Sequence, residues 1–206
     1  MSDKKHWEGI YQHTSSKEVS WYRPHLDVSL DLIHETGLNR EARLIDVGGG
    51  ASTLVDDLLD LGYANVSVLD ISTAALEVAK ARLGARSTKA SWIEASVLDY
   101  KFDANSYDLW HDRAVFHFLT ASEDQKRYVD QVTIAVRPAG FLVIGAFAQN
   151  GPTKCSGLNV ARHSAQDLAE HFGDAFTLLR SSHELHQTPS GGIQSFAYAL
   201  MQRRAP

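Results

Sequence analysis

A short apolar run, Leu44, Ile45 and Val47, is stopped by three consecutive glycines, Gly48, Gly49 and Gly50. A second apolar series then follows at helical spacing through Leu54, Leu58 and Leu61, with Val55 and Leu59 alongside. Few patterns restrict a fold as strongly. The first run reads as a buried parallel strand and the second as the inner face of a helix. Strand, glycine turn and helix together make the first crossover of a nucleotide-binding α/β sheet. Glycine belongs in such a turn because a side chain would hold a ligand away from the backbone, and because positive φ costs it little. The free N–H groups of the following helix then face the ligand. A tight turn without a ligand could use the same residues, so the surroundings must decide. Further on, Val66, Val68 and Leu69 form a second apolar strand that ends in Asp70. An acid about 20 residues past the glycines is where a ribose diol is held.

The ligand class follows from what the bend lacks. A dinucleotide fingerprint needs G-x-G-x-x-G, and counting from Gly48 the third glycine falls on Thr53. Asp46 instead sets a carboxylate at the strand tip, which suits a cation or an amino group better than a pyrophosphate. S-adenosylmethionine carries a sulfonium, an ammonium and a ribose and no phosphate, and these residues favour it. Composition narrows the class further. A net charge of −5 shows no basic patch of the nucleic-acid-binding kind. The 206 residues, 44% of them hydrophobic, suffice for one core, so a single domain over 1–206 is expected. No run approaches the ~20 apolar residues of a membrane span, and Met1 to His6 lead into no signal-like apolar stretch. The single cysteine, Cys155, suits a reducing cytoplasm and is poor evidence for a metal, so neither a membrane nor a metal is expected.

Asp46-Val47-Gly48-Gly49-Gly50-Ala51-Ser52 resembles motif I of the class I S-adenosylmethionine-dependent methyltransferases, and Val68-Leu69-Asp70-Ile71-Ser72 resembles their motif II. The resemblance extends over nearly the whole chain. It implies a three-layer α/β/α Rossmann-like fold with a seven-stranded sheet in the order 3-2-1-4-5-7-6, mostly parallel with one antiparallel strand. It also implies a cofactor site that includes Asp46, Gly48, Gly49, Gly50, Asp70, Ile71, Ser96 and Val97. Relatives usually carry an acid where Ser96 stands, so the adenine contact here is the weaker, neutral kind. The aromatic N-terminal region (1–40) reads as a helical lid. Trp7 and Tyr11 share one helical face, and with Trp21 they resemble the Trp/Tyr residues lining the cofactor in small methyltransferases that modify lysine on translation elongation factor 1A.

Strand four, Tyr107-Asp108-Leu109-Trp110, runs into His111-Asp112-Arg113 and then His117. Ionisable groups gather there at the carboxyl end of a central strand, where open α/β sheets place ligands. The Asp-Arg segment is similar to that of thiopurine methyltransferase-like proteins, as is the Gly151-Pro152 loop. His111 and Arg113 are therefore expected near the cofactor, and His111, Asp112 and His117 are candidates for a base. Asp112 could instead tie the loop to its helix, and His117 could be a core histidine. Ser122-Glu123-Asp124-Gln125 has capping-box form, Ser72 and Ser164 are N-cap candidates, and two β segments, 175–179 and 194–201, close the chain. The expected activity is methyl transfer from S-adenosylmethionine to a small-molecule nucleophile, thiol-like by preference. A protein lysine is the alternative acceptor, and a non-catalytic binding protein or a nicotinamide dehydrogenase are readings from other classes. A thiol ionises readily, whereas an amine must first lose a proton to a base.

Overall fold

The computed structural model describes residues 4–205; residues 1–3 and 206, the ends of the single domain expected from the sequence, lie outside it. Two helices, α1 (Lys4–His13) and α2 (Asp27–Glu35), precede the first strand, β1 (Arg43–Val47). The glycine bend then leads into α3 (Leu54–Asp60), which buries Leu54, Val55 and Leu58. Leu61 lies one residue past its end and is left half exposed. Next come β2 (Asn65–Asp70), α4 (Thr73–Leu83), β3 (Ala90–Glu94), β4 (Tyr107–Arg113), α5 (Ser122–Ala135) and β5 (Val136–Phe147). A small hairpin of β6 (Lys154–Cys155) and β7 (Leu158–Asn159) is followed by α6 (Ala165–Phe172), β8 (Phe176–Gln187) and β9 (Ile193–Arg203).

The main sheet has the order β3-β2-β1-β4-β5-β9-β8. β9 runs antiparallel to both neighbours while the rest of the ladder is parallel. This is the expected order, with β6 and β7 standing apart as their own ladder. Two apolar layers hold the sheet. Helices α2, α3 and α4 bury Leu32, Leu58 and Leu76 with Leu44, Leu109 and Val143 on one face. On the other, α5 and α6 bury Tyr128, Val132 and Leu168 with Ile45, Trp110 and Ile144. Each such side chain removed from water contributes about 1.5–3 kcal/mol, so the central strands cannot slip register. Alternation along β4 then sends Leu109, His111 and Arg113 to one face and Trp110 and Asp112 to the other.

Local chemistry sets most element ends. Ser72 Oγ accepts from Ala75 N at 3.1 Å to start α4. Ser164 and Asp167 form a reciprocal capping box on α6. The box expected at Ser122 does not form: Ala121 is the N-cap, and Gln125 Nε2 donates to Leu119 O at 2.8 Å instead. The chain enters α5 from a tight turn at Phe116–Phe118, and that turn's free carbonyl takes the glutamine. β8 is also longer than the 175–179 read from the sequence. Its polar middle, Arg180 to His183, has no apolar pattern, yet each of these residues is in register with a partner on β9, Leu200 to Ala197, and the backbone groups that face β9 join its ladder. No helix among the described residues is long and apolar enough to cross a membrane.

Candidate functional site

The parallel strands finish at one level, with Val47 beside Leu69 and Asp112. Gly48 turns the chain there at φ 68°, its N–H donating to Leu69 O at 2.7 Å. A Cβ on Gly48 would overlap the Val115 side chain. On Gly49 it would stand 2.5 Å from Asp46 Oδ2, and on Gly50 2.6 Å from Asp70 Oδ2. The bend is thus bare backbone threaded between two carboxylates.

A pocket opens in front of it. Its wall includes Asp70, Ile71, Ser96, Val97, Leu98 and Leu119, and also Trp7, Tyr11, Trp21, Arg113, Phe118 and Cys155. Asp70 Oδ1 accepts from Ser72 N at 2.8 Å, so its second oxygen faces the bend. Burial pushes the Asp70 carboxyl up to about 7 against that hydrogen bond, and the charges of Asp46 and Glu8 add to the rise. The aromatic residues interlock edge to face: Trp7 lies 5.8 Å from Trp21 and 5.1 Å from Phe118, and Trp21 Nε1 donates to Tyr11 OH at 3.2 Å. Burial raises the Tyr11 hydroxyl well above its ordinary range.

Helix α1 is clipped down from its other side. Glu8 accepts from Thr73 N at 2.6 Å and from Ala74 N at 3.2 Å, capping the N-terminus of α4 from a distant part of the chain. Lys4 pairs with Glu94 at the end of β3. No signal in the sequence pointed to Glu8, because the donors it satisfies lie some 65 residues away.

A second hollow adjoins the first and shares Tyr11, Trp21, Gly48 and Arg113 with it; Asp46, Gly49, Thr53, Arg23 and His111 are among the other residues of its wall. Asp46 Oδ1 accepts from His111 Nδ1 at 2.7 Å, and His111 Nε2 meets Ser29 Oγ at 2.9 Å. Asp46 Oδ2 is buried without a partner. Arg113 donates to Tyr198 OH at 2.9 Å and to Trp21 O at 3.1 Å, and its guanidinium lies over the Phe196 ring. Glu184 is shared between Arg113 at 3.5 Å and Arg23 at 2.8 Å. Burial works against the Arg113 charge, and Tyr198 and Glu184 more than offset it. Tyr198 and Phe196 stand out in the sequence only by their alternation on β9.

Two of the three candidate bases lie elsewhere. Asp112 is on the opposite face of β4 and walls neither hollow. Its oxygens accept from Val115 N at 2.8 Å, Phe116 N at 3.1 Å and Tyr128 OH at 2.5 Å. Burial raises it to about 6; it anchors the loop to α5. His117 is sealed between Phe118 and Phe147, where its Nδ1 accepts from Phe147 N at 3.3 Å. Burial drives it down to about 3, so it stays neutral. The third, His111, has both ring nitrogens engaged. Cys155, given no role from the sequence, reaches the pocket because Ser156 (φ 52°) and Gly157 (φ 79°) make the left-handed turn of the β6–β7 hairpin. Burial raises its thiol to about 11, so it is a neutral wall group. Among the described residues no cluster of three or more His, Cys, Asp or Glu could hold a metal ion.

Residues 44–140 match the family model described as a methyltransferase domain. The chain is 24% identical over 198 residues to EEF1A lysine methyltransferase 2 of Danio rerio, covering 87% of this chain and 77% of that protein. It is 26% identical over 121 residues to the eEF1A lysine and N-terminal methyltransferase of Bos taurus, covering 59% of this chain but only 17% of that relative's length. Among solved structures, one described by the conversion of a disulfide bond into a thioacetal group during echinomycin biosynthesis superposes with a TM-score of 0.79. It is 20% identical, with 98% of this chain and 93% of that one covered. The 1,6-didemethyltoxoflavin-N1-methyltransferase of Burkholderia thailandensis, bound to 1,6-didemethyltoxoflavin and S-adenosylhomocysteine, superposes with a TM-score of 0.74. It is 17% identical, covering 98% and 87%. At these identities the structural likeness establishes the shared fold.

Proposed function

We propose that this chain, which carries a matched methyltransferase domain over residues 44–140, is a class I S-adenosylmethionine-dependent methyltransferase and that the two hollows together bind S-adenosylmethionine. The acceptor is a small-molecule nucleophile that ionises without help, a thiol foremost. The residues present fit the cofactor. The glycine bend leaves room a Cβ would fill, Asp70 offers a carboxylate to a ribose diol, and Asp46 carries an unpartnered oxygen for an ammonium. Bound there, the cofactor supplies a methyl group on a sulfonium, which an in-line nucleophile can take. In this reading Ile71, Ser96 and Val97 line the adenosine end, Gly48 the middle with Gly49 in the wall of the adjoining hollow, and Trp7, Tyr11, Trp21 and Arg113 the end where an acceptor enters. Gly50 lines neither hollow and keeps the bend bare behind them.

One observation carries the acceptor class: no histidine among the described residues walls the main pocket, and the ionisable groups there are Tyr11, Asp70, Arg113 and Cys155. Tyr11 and Cys155 are held neutral by burial, and Asp70 belongs to the ribose end. An ammonium would find no base at the acceptor end and would meet a like charge on Arg113. A thiol supplies its own anion near neutral pH and meets an opposite charge. The chain's contribution is then alignment, worth up to ~7–11 kcal/mol in well-oriented cases, and exclusion of water by the rings. A protein lysine is the second reading, favoured by the activities for which the two eEF1A relatives are named. Transfer of labelled methyl to a panel of small thiols, beside a lysate protein fraction, tests both. Label confined to protein would overturn the small-molecule reading.

A further inference from the structure

Asp46, His111 and Ser29 come from β1, β4 and α2 and are 3%, 2% and 0% exposed. Asp46 and His111 are register partners on adjacent strands, so their side chains stand side by side on one face. α2 packs across that face and delivers Ser29. Proton bookkeeping leaves one arrangement for a neutral ring. An ionised carboxylate only accepts, so Nδ1 carries the proton toward Asp46 Oδ1; Nε2 must then accept, and Ser29 donates its hydroxyl hydrogen. Neither ring nitrogen is left to take a proton from a substrate.

What the chain does leave open is Asp46 Oδ2, buried, without a partner, and tucked against Gly49 in the wall of the second hollow. An unsatisfied buried carboxylate oxygen is costly and invites an explanation in a ligand. The carboxylate could rotate to relieve that cost, but Oδ1 is pinned by the 2.7 Å contact to His111, and His111 is pinned in turn by Ser29.

We propose that His111, backed by Ser29, is a positioning residue that locks the Asp46 carboxylate so that Oδ2 is offered to the ammonium of the cofactor's amino-acid half. The inference rests on reading the hollows as an S-adenosylmethionine site. It assigns His111 to cofactor orientation rather than to proton transfer, and it gives α2 a part in ligand selectivity through a residue that touches no ligand.

The test compares two probes by calorimetry: S-adenosylhomocysteine, which carries the amino-acid half, and 5′-methylthioadenosine, which lacks it. His111→Ala is expected to weaken S-adenosylhomocysteine about tenfold or more, the range for a lost hydrogen bond to a charged group, and to leave 5′-methylthioadenosine within about twofold. His111→Asn, whose amide nitrogen stands where Nδ1 stood, should restore most of the preference. Ser29→Ala should lose part of it, and these two conservative variants carry the test if His111→Ala does not fold. Equal weakening of both probes would mean a merely structural role and would overturn the proposal, as would unchanged affinity for S-adenosylhomocysteine. Wild-type protein binding neither probe would bring down the cofactor reading itself, and this inference with it.

Discussion

The buried carboxyl of Asp70 gives the cofactor site a pH dependence whose sign and size can be worked out. With its carboxyl raised to about 7 by burial, Asp70 is largely protonated in the free protein below that pH. A ribose diol offers two O–H donors and binds the ionised form best, so binding expels the proton when the carboxyl starts out neutral. Affinity for S-adenosylhomocysteine should therefore fall as the pH drops through 7. With one proton linked, the ionised fraction falls ~25-fold between pH 7.5 and pH 5.5, and affinity should follow it. Calorimetry in buffers of different ionisation enthalpy reads both the affinity and the proton released. In Asp70→Asn the slope should vanish, with affinity at pH 8 lower by about tenfold or more. The free protein shows the converse. Because the native carboxyl titrates above its unfolded counterpart, stability falls as pH rises from the ordinary carboxylate range to about 7, and Asp70→Asn removes that fall. A flat affinity across this range in the native protein, or the same slope in Asp70→Asn, would refute the reasoning.

Other substitutions separate structural from functional carboxylates. Tyr128→Phe takes a hydrogen bond from Asp112 and leaves Trp110 Nε1, now 3.0 Å from the Tyr128 hydroxyl, without an acceptor. At ~2–4 kcal/mol for the pair, the melting temperature should drop ~5–15 °C while S-adenosylhomocysteine affinity holds. Lost binding at an unchanged melting temperature would return Asp112 to the list of reactive groups. Glu8→Ala should cost ~0.5–2 kcal/mol as a lost helix cap, speed amide exchange at Thr73 and Ala74, and weaken S-adenosylhomocysteine severalfold as α1 loosens; Glu8→Gln should be milder. Unaltered exchange at those two amides would show that α1 is held by its rings alone.

Much of this protein can be read from short stretches of chain. The glycine bend, the acids at Asp46 and Asp70, the cap at Ser72 and the stop at Gly84 are encoded by residues within a turn or two of where they act. The strand order is expected from the resemblance of the two motifs to the methyltransferase superfamily, since periodicity and short right-handed connections alone leave more than one parallel order open. Alternation along β4 even separates Asp112 from His111 and Arg113, though parity alone does not say which side holds the pocket.

That choice belonged to the tertiary structure. Asp112 faces the α5 layer and is consumed by Tyr128 and two loop amides; His111 faces α2 and is consumed by Asp46 and Ser29. Glu8 caps a helix far along the chain, Cys155 enters the pocket on a two-residue hairpin, and β8 takes its length from β9. The physical reason is common to all of them. A buried polar group must find its partner wherever folding brings one, and sequence spacing carries no record of partners that meet only when the layers close.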